Sequence, residues 1–552
     1  MSGEGGQRMR LIWQALFVVL GWGLLYLPAL GTRELQGEEA RRALPGRTML
    51  QTGDWVVPRS AGKIYNRKPP LINWAIAGAI KVAGKMNEWT VRLPSTLAVL
   101  ALALTVLLAG RVWLGDAGGF LAACICLSNA GILSKGRLAE IEALYLALFG
   151  MALVVWLAAW WRQRPWLAWL GGMLLMGVGF LAKGPVHLWY FYAIVIGVLW
   201  AEGRLRELLT LRHGAGVAVF VAVLLPWALA NSARNPQQDS GRVWANQVTH
   251  RLGFSEFDFV NWLLQVPQSL FNFAPWVVLL PLAWSRKVNA QLPQLGRRGQ
   301  WLRGLRAGLV VGFFVIALLP SSRPRFMVPL NVAAAVLAVE CFSLLAAAER
   351  GKWLRHWLAV LAGVGMLTVL AGLGAAFWYR TQVELHWTMI SVSALLLVLA
   401  SVWALRLRRA DDKLCGAQSA GPAHRAVMGT GVLFLGVTLA PVSTLRDDLR
   451  PFANEILQHT GASPDIVLYK LDERMWPFYL GLTCREIASL DELPKSAHWI
   501  MVKEADAENR RKEMSRRYGT ITEDIPIQEP VTGNAGGNGQ RYRLLGFAGS
   551  AR

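Results

Sequence analysis

Long apolar runs, repeated along most of the chain, constrain this sequence more than any other feature. A helix needs about 20 mostly apolar residues to cross the hydrocarbon core of a bilayer. The sequence contains thirteen such candidates before about residue 445. This repetition predicts an α-helical polytopic membrane protein with about 13 transmembrane helices. The predicted spans are residues 11–30, 92–113, 117–133, 140–160, 166–182, 185–200, 213–230, 263–284, 307–320, 327–347, 357–378, 387–405 and 427–444.

Composition agrees with a membrane protein. Hydrophobic residues make up 54% of the 552 residues and charged residues only 17%, and 26 residues are Trp, which collects at membrane interfaces. A formal charge of +22 would suggest nucleic acid binding in a soluble protein. Here the basic residues lie mostly in short loops between apolar runs, so membrane lipids are the expected partners and nucleic acid is not. The five cysteines have no spacing that predicts a disulfide framework or a zinc site.

The placement of Lys and Arg predicts the orientation in the membrane. Four connections are rich in basic residues: 201–213, 285–306, 349–356 and 406–413. Loops of this kind face the cytoplasm, which places the N-terminus in the cytoplasm and everything after the last span outside. The apolar stretch at 71–84 is too short and too interrupted to span. We therefore expect it to form an interfacial helix that lies along the membrane.

The first outer loop, residues 31–91, is large and breaks the positive-inside pattern. Eleven basic and five acidic residues lie between residues 31 and 92, and QGEEARRA (36–43) places four of these charges together. A basic outer loop with embedded carboxylates favours an anion such as a lipid phosphate. The alternative is a loop that is attracted nonspecifically to lipid head groups.

Beyond residue 445 the pattern changes from long apolar runs to short alternating elements. PDIVLYKLD, CREIAS, HWIMVKEA and TITEDIPI are typical of strands, and helical segments separate them. GNAGGNGQ is typical of a flexible turn or a hairpin tip. The sequence thus predicts two domains, a transmembrane domain at 1–445 and a small extracytoplasmic α/β domain at 446–552.

Ionisable residues at the outer ends of the predicted spans are the candidates for chemistry. Glu38 and Glu39 lie in the first outer loop, and Glu142 lies just inside an apolar run, where a carboxylate is costly and indicates function. The alternative for Glu142 is a carboxylate favoured by the positive end of a helix dipole, which fits the neighbouring Glu140 better. Arg137 is a candidate partner of Glu142.

Several cations lie at the same predicted side of the membrane. Each of them alone is more simply interpreted as a side chain that reaches from the bilayer edge to water. Together they bring positive charge near the carboxylates, and they are Lys183, Arg251, Arg323 and Arg325.

Several of these motifs together resemble a known family. GEEARRALPGRTMLQTGDWVVPRSAGKIYNRKPPLINW followed by EWTVRLPS is similar to the first outer loop of integral membrane C-type glycosyltransferases. The branch is that of the protein O-mannosyltransferases and the lipid A aminoarabinose transferases. GRLAEIEAL, FLAKGP and SSRPRFMVPL are further matches, so the resemblance covers most of residues 30–340.

The resemblance implies a glycosyltransferase at the outer face of a bacterial inner membrane. It would move a sugar from a polyprenyl-phosphate donor of the undecaprenyl type to a lipid such as lipid A, another envelope glycan or a protein, with inversion. Glu38 would be the catalytic base, Glu39 the second choice, and Glu142 would bind or orient the sugar or the acceptor. The lipid phosphate would be bound by Lys68, Arg251, Arg137, Lys183 and Arg325. The resemblance implies no nucleotide donor and no definite cofactor, and assistance by a divalent cation is left open.

Three departures from the family pattern bear on this hypothesis. The acidic pair is Glu-Glu rather than Asp-Glu, which shifts the reactive oxygen by about a bond length. Arg67 stands where relatives often have an acid before the Lys-Pro-Pro motif, which puts a metal held by that acid in doubt. Pro45-Gly46 should kink or end the helix that follows the pair.

Two other functions are compatible with a polytopic chain of this kind. A polyprenyl-linked sugar flippase or lipid transporter without transferase activity would place ionisable residues near the middles of spans and would contain a repeat of broken helices. A degenerate family member would only bind the lipid carrier.

Overall fold

The fold is a bundle of long helices followed by a small mixed sheet. The structure, a computed structural model, describes residues 2–60, 63–65, 68–235, 258–410, 417–443, 449–461, 466–471, 475–482, 484–494, 497–518, 520–528 and 541–547. The α-helices are α1 Ser2–Tyr26, α2 Glu39–Thr52, α3 Leu71–Ala83, α4 Glu88–Ser128, α5 Ala130–Gly136, α6 Ile141–Trp161, α7 Pro165–Lys183, α8 Val186–Ala201, α9 Leu211–Arg234, α10 Phe259–Phe271, α11 Arg286–Gln291, α12 Arg297–Ala317, α13 Asn331–Ser343, α14 Ala347–Tyr379, α15 Trp387–Arg409, α16 Ala417–Ser443, α17 Leu449–Thr460, α18 Met475–Tyr479 and α19 Glu504–Tyr518. The strands are β1 Arg59–Ser60, β2 Lys63–Ile64, β3 Ile466–Tyr469, β4 Arg485–Ile487, β5 Trp499–Lys503, β6 Ile521–Gln528 and β7 Arg541–Phe547.

The long helices coincide with the predicted spans. Within the described ranges, nine helices are long and apolar enough to cross a membrane. A tenth span is formed if α10 and the 3₁₀ helix Trp276–Trp284 count as one, although they meet at a bend of 96°. The predicted spans at 185–200 and 327–347 correspond to α8 and α13, which are apolar but shorter. The polytopic helical class is confirmed, and the count of thirteen stays a prediction.

The predicted spans at 92–113 and 117–133 meet inside α4. Gly115 interrupts the helix with φ 75° and ψ 173°, a conformation that glycine adopts without a Cβ penalty. A Cβ on Gly119 would lie only 2.8 Å from the backbone nitrogen of Arg111 and 2.9 Å from the Leu107 carbonyl oxygen. The chain therefore folds back at Gly115, and Arg111 pairs with Asp116 across the turn at 2.6 Å.

The first loop between α1 and α4 carries α2, a short β1–β2 hairpin and α3. Pro45-Gly46 does not end the helix, because α2 continues to Thr52, and the alternative of a kink stays a prediction. A Cβ on Gly46 would lie 2.9 Å from the Asn73 carbonyl oxygen and 3.2 Å from the Ala77 nitrogen. The glycine thus lets α2 and α3 pack in close backbone contact. The expected helix at 71–84 is present as α3, whose buried face includes Ile72, Ile76 and Ile80.

The C-terminal segment forms a five-stranded sheet in the order β4-β3-β5-β7-β6. β3 pairs in parallel with β4 and β5, whereas β7 is antiparallel to β5 and β6. The sheet buries apolar side chains on both faces, because one cluster contains Leu468 and Leu544 and the other contains Val467 and Leu545. The predicted alternation of strands and helices is present, and the domain boundary at 445 remains a prediction.

Candidate active site

Glu39 is the first helical residue of α2 and is completely buried. Arg92 binds its carboxylate with two hydrogen bonds, from Nε to Oε1 and from Nη2 to Oε2, both 2.8 Å. The backbone N–H of Ala139 donates to Oε1 at 2.7 Å, and that of Gln36 donates to Oε2 at 2.9 Å. Both carboxylate oxygens are thus fully engaged, as a buried charge requires. Glu39 joins the first loop to α4 and to the chain before α6.

Arg92 itself is equally well bound. Its guanidinium also donates to the backbone carbonyls of Leu30 and Arg33 at 2.7 Å and of Glu34 at 2.8 Å. The five hydrogen bonds of Arg92 fix the chain just before α2. This residue lies in the VRLPS motif, and its role was not identified from the sequence, because only the folded chain brings it to Glu39.

Glu38 stands at the N-terminus of α2 and differs sharply from its neighbour. Its side chain is 35% exposed, and its carboxylate is paired with two arginines of the next turn. Arg41 Nη1 lies 2.5 Å from Oε1, and Arg42 Nη2 lies 2.8 Å from Oε2. Arg42 also donates to the hydroxyl of Tyr65, the residue that follows β2, and so connects α2 to the β1–β2 hairpin. Glu38 is therefore an oriented and accessible carboxylate.

The second acidic segment lies next to the first because Ala139 hydrogen-bonds to Glu39. Glu140 precedes α6 and accepts from Lys135 Nζ at 2.8 Å. Glu142, in the first turn of α6, is buried and accepts from Lys183 Nζ at 3.2 Å. The structure thus brings Glu142 and Lys183 together from motifs that lie 41 residues apart in the sequence.

Positive charge surrounds Glu142. Lys183 Nζ lies 5.0 Å from the ring centre of Tyr145 and 5.2 Å from that of Phe326. Arg325, in a 3₁₀ turn, packs on the same Phe326 and acts electrostatically on Glu142, as Lys135 does. The Nε of Arg325 is buried without a hydrogen-bond partner. The arrangement joins an apolar aromatic wall to cations that can interact with an anion.

Arg137 lies nearby and binds backbone carbonyls, while its predicted roles as a phosphate ligand and a partner of Glu142 stay predictions. Its Nη1 donates to the Leu25 carbonyl at 2.7 Å and its Nη2 to the Pro28 carbonyl at 2.5 Å. Burial lowers the pKa of this guanidinium, and this effect outweighs the opposing interaction with Tyr26. These contacts tie the end of α1 to the chain before α6.

The remaining predicted ligands are only partly described. Lys68 is half-buried, directly before the Pro69-Pro70 pair that leads into α3. Arg251, and Arg67 of the same Lys-Pro-Pro region, lie outside the described residues. Among the residues that the structure does describe, no three His, Cys, Asp or Glu side chains converge on a common point as metal ligands would.

The TGDW motif forms a turn that anchors the first loop. Asp54 Oδ1 accepts from the backbone N–H groups of Val56 and Val57 at 3.1 and 3.2 Å and from Arg234 Nη1 at 3.0 Å. Slight burial raises the pKa of Asp54, but these three donors outweigh it and the net pKa lies below its ordinary value. The loop is thereby fastened to the end of α9, where Trp227 also donates to the Val56 carbonyl.

Comparison with known proteins places this arrangement in context. Residues 67–229 match the model of the dolichyl-phosphate-mannose-protein mannosyltransferase family. An undecaprenyl phosphate-α-4-amino-4-deoxy-L-arabinose arabinosyl transferase of Aeromonas salmonicida is 28% identical over 71% of this chain and 77% of its own. The crystal structure of ArnT from Cupriavidus metallidurans, bound to undecaprenyl phosphate, matches with a TM-score of 0.72 and 19% identity over 96% of this chain and 98% of that one.

This chain resembles that glycosyltransferase family and has its fold. The recognition and the fold class predicted from the sequence are confirmed. A further relative, from Pseudomonas fluorescens Pf-5, is 29% identical over 50% of this chain and 51% of its own. The chain spans between about half and two thirds of the length of the first curated relatives it matches. The helices that can cross a bilayer make it an integral membrane protein.

Proposed function

We propose that the protein transfers a sugar from a polyprenyl-phosphate donor to an acceptor hydroxyl by inverting displacement. The observation that carries this proposal is the contrast between Glu38 and Glu39. One carboxylate is buried and saturated, and the other is accessible and held by Arg41 and Arg42 at the start of the same helix. A rigid helix that presents one accessible carboxylate is suited to general base catalysis.

Glu38 would take the proton from the acceptor hydroxyl while the new glycosidic bond forms at the anomeric carbon. The bond from that carbon to the phosphate oxygen breaks on the opposite face, and the polyprenyl phosphate leaves with the electron pair. Charge grows on the phosphate as the bond breaks, so nearby cations stabilise the transition state. Lys183 and Arg325, which lie beside Glu142, are candidates for stabilising the leaving phosphate. Lys68 and Arg251 are further candidates, because they match lysine and arginine positions of the family.

We assign Glu39 to support rather than to proton transfer. Four hydrogen bonds occupy its oxygens, and protonation would break the ion pair with Arg92 in a buried site. Glu142 is assigned to orienting the sugar or the acceptor, because its carboxylate lies beside Lys183 and next to an aromatic wall.

The names of the relatives suggest the donor class. The arabinosyl transferases that match this chain are named for undecaprenyl phosphate-α-4-amino-4-deoxy-L-arabinose. We propose an undecaprenyl-type carrier for this chain, with lipid A, another envelope glycan or a protein as acceptor. The donor would lie with its tail in the lipid and its phosphate at the bilayer edge.

We also propose that the protein lies in a bacterial inner membrane, with the N-terminus in the cytoplasm and the C-terminal sheet in the periplasm. The basic connections at 201–213, 285–306 and 349–356 support this orientation by the positive-inside rule. In this orientation α2, the start of α6 and the end of α7 face the periplasm together.

The flippase alternative predicts repeated broken helices with ionisable groups at membrane depth. One bent pair, α10 with the 3₁₀ helix after it, occurs in the described part of the chain, and His424 and Arg425 are buried within α16. The acidic and basic groups of the candidate site lie instead at helix ends and in the first loop. This distribution favours chemistry at one membrane surface.

Glycolipid and glycoprotein profiling by mass spectrometry tests the transferase proposal. Cells would carry either the native protein or Glu38→Gln at matched levels. We expect one sugar-bearing species to fall by about 100-fold or more and its precursor to accumulate, because general bases contribute about 10²–10⁴ in rate. The mass difference would identify the sugar.

Glu384→Gln provides the matched control, since it removes an exposed carboxylate between α14 and α15. It should leave the profile as in native cells. An unchanged profile with Glu38→Gln would refute Glu38 as the base, and an unchanged profile on deletion of the gene would refute the transferase.

A further inference from the structure

The short helix α18 makes an unusual connection between the C-terminal sheet and the helix bundle. Phe478 of α18 is buried in the main core cluster, which also contains Leu35, Ala40 and Leu44 of the first loop and α2. The next residue, Tyr479, reaches the chain directly before α2. Its hydroxyl oxygen accepts a hydrogen bond from the Leu35 backbone N–H at 2.7 Å.

The segment from Glu34 to Glu39 is therefore fixed from both sides. On the bundle side, Arg92 binds the Glu34 carbonyl and the Glu39 carboxylate. On the side of the C-terminal segment, the Glu34 carboxylate accepts from the Leu449 backbone N–H at 3.0 Å. Arg47, near the middle of α2, also donates to the carbonyls of Pro477 and Leu482, which flank Tyr479.

We propose that Tyr479 is a positioning residue for the transfer reaction: through Leu35 it fixes the segment that aims Glu38. The inference rests on the proposed function, since it assigns the C-terminal segment a role at that same site. In this proposal Tyr479 acts on Glu38 through the backbone between Leu35 and α2. Nothing in the chain spacing predicts it, because 444 residues separate the two partners.

The hydrogen bond between the Leu35 N–H and the Tyr479 hydroxyl does not depend on pH near neutrality. Burial raises the pKa of Tyr479, the hydrogen bond from the Leu35 N–H lowers it, and the nearby Glu88 and Glu34 carboxylates raise it. The net pKa lies far above its ordinary value, so the hydroxyl stays protonated at neutral pH. Loss of the hydroxyl would leave the Leu35 N–H without its acceptor beside a fully buried side chain. Errors of about 1 Å in the aim of a catalytic group are costly, with losses of up to about 100-fold.

The test is Tyr479→Phe, which removes only the hydroxyl, in the full-length protein. The matched control is Tyr469→Phe, because the Tyr469 hydroxyl, in β3 of the C-terminal sheet, is buried without a hydrogen-bond partner. Amide hydrogen exchange of peptides from residues 30–39 and from β5 is measured on detergent-solubilised protein. Formation of the glycosylated product, identified as described above, is measured in membranes, together with binding of undecaprenyl phosphate as the probe.

We expect about tenfold faster exchange at residues 34–39 in Tyr479→Phe, as befits one hydrogen bond to a buried backbone group. Exchange in β5 and the affinity for undecaprenyl phosphate should not change. Product formation should fall by about 3- to 30-fold, in kcat rather than KM. Tyr469→Phe should behave as the native protein in every measurement.

Two results would overturn the inference. Unchanged exchange at residues 34–39 would show that Tyr479 does not fix this segment. Faster exchange with undiminished product formation would show that the fixation does not serve the reaction. If the native protein itself forms no product, the proposed function fails. The positioning role in that reaction fails with it. The exchange measurement still decides whether the Tyr479 hydroxyl fixes residues 34–39.

Discussion

Among the described regions that pair a buried glutamate side chain with an arginine, two differ in whether they leave a carboxylate accessible. In the first, which we call the α2 cluster (Glu38, Glu39, Arg41, Arg42 and Arg92), Glu39 is saturated and Glu38 is open. In the second, the Glu202 cluster (Glu202, Arg297, Trp160 and Trp301), every carboxylate oxygen is used. Glu202 is 4% exposed and accepts from Arg297 Nε at 2.8 Å and from the indoles of Trp301 and Trp160 at 2.7 and 2.8 Å.

The comparison separates carboxylates that stabilise the fold from a carboxylate that can act on a substrate. A buried ion pair persists only if its remaining lone pairs and protons are satisfied, as they are for Glu39 and Glu202. A general base needs a free lone pair and a path for the substrate. Glu38 meets both needs because Arg41 and Arg42 orient it without enclosing it, while the adjacent clamp keeps the helix rigid.

Glu39→Ala should have the largest effect on stability. The change leaves Arg92 buried without its ionic partner, which typically costs about 3–5 kcal/mol. Thermal unfolding of the detergent-solubilised protein, followed by tryptophan fluorescence, measures the loss. Glu38→Ala is the matched control and should cost less, because the Glu38 side chain is 35% exposed and the buried Arg42 keeps its hydrogen bond to the Tyr65 hydroxyl. Equal losses for the two variants would erase the distinction drawn between the neighbouring glutamates.

Glu202→Gln should destabilise the protein by less, about 1–3 kcal/mol. The amide places an N–H group where Glu202 now accepts from three donors, but Arg297 is 34% exposed and can regain water. Product formed per folded molecule should stay within about twofold of native. Fluorescence unfolding and the transfer assay together check this outcome. A loss of transfer beyond the loss of folded protein would contradict a purely structural role for the Glu202 cluster.

Gly46→Ala should have the smallest effect, about 1 kcal/mol of destabilisation. The new methyl group would meet backbone atoms of Asn73 and Ala77 and push α2 away from α3. Gly78→Ala in α3 is the control, since a Cβ there meets nothing within 4 Å and should stabilise the helix slightly. If both alanines stabilise the protein, the close seam between α2 and α3 does not contribute to the rigidity of the α2 cluster.

Parts of the fold followed directly from sequence patterns. Runs of apolar residues located α6, α7, α14 and α15, because a bilayer sets both the length and the polarity of a spanning helix. The alternation of strands and helices after residue 445 was also readable. Pro45-Gly46 did not end α2 as the sequence suggested. The consequence of this pair depends on what packs against it, and α3 lies there.

The candidate site was only partly readable. The acidic pair, Glu142 and Lys183 stood out because charges next to apolar runs are costly and therefore informative. Arg137 was also a candidate from the sequence, but its guanidinium binds the Leu25 carbonyl of α1 and the Pro28 carbonyl just after it, contacts that no local sequence pattern predicts. The contacts of Arg92 and Tyr479 could not be predicted from the sequence. An arginine in a basic loop and a tyrosine in a short helix give no local signal, and their partners lie far away in the chain.

By itself the sequence determined the membrane class, the positions of most helices and the segments that carry the chemistry, since these depend on local hydrophobicity and on the types of residue present. Only the tertiary structure decided which of two adjacent glutamates is saturated and which stays open. Hydrogen-bond saturation depends on donors from Arg92 and Ala139, which lie 53 and 100 residues away, and only packing brings them to Glu39.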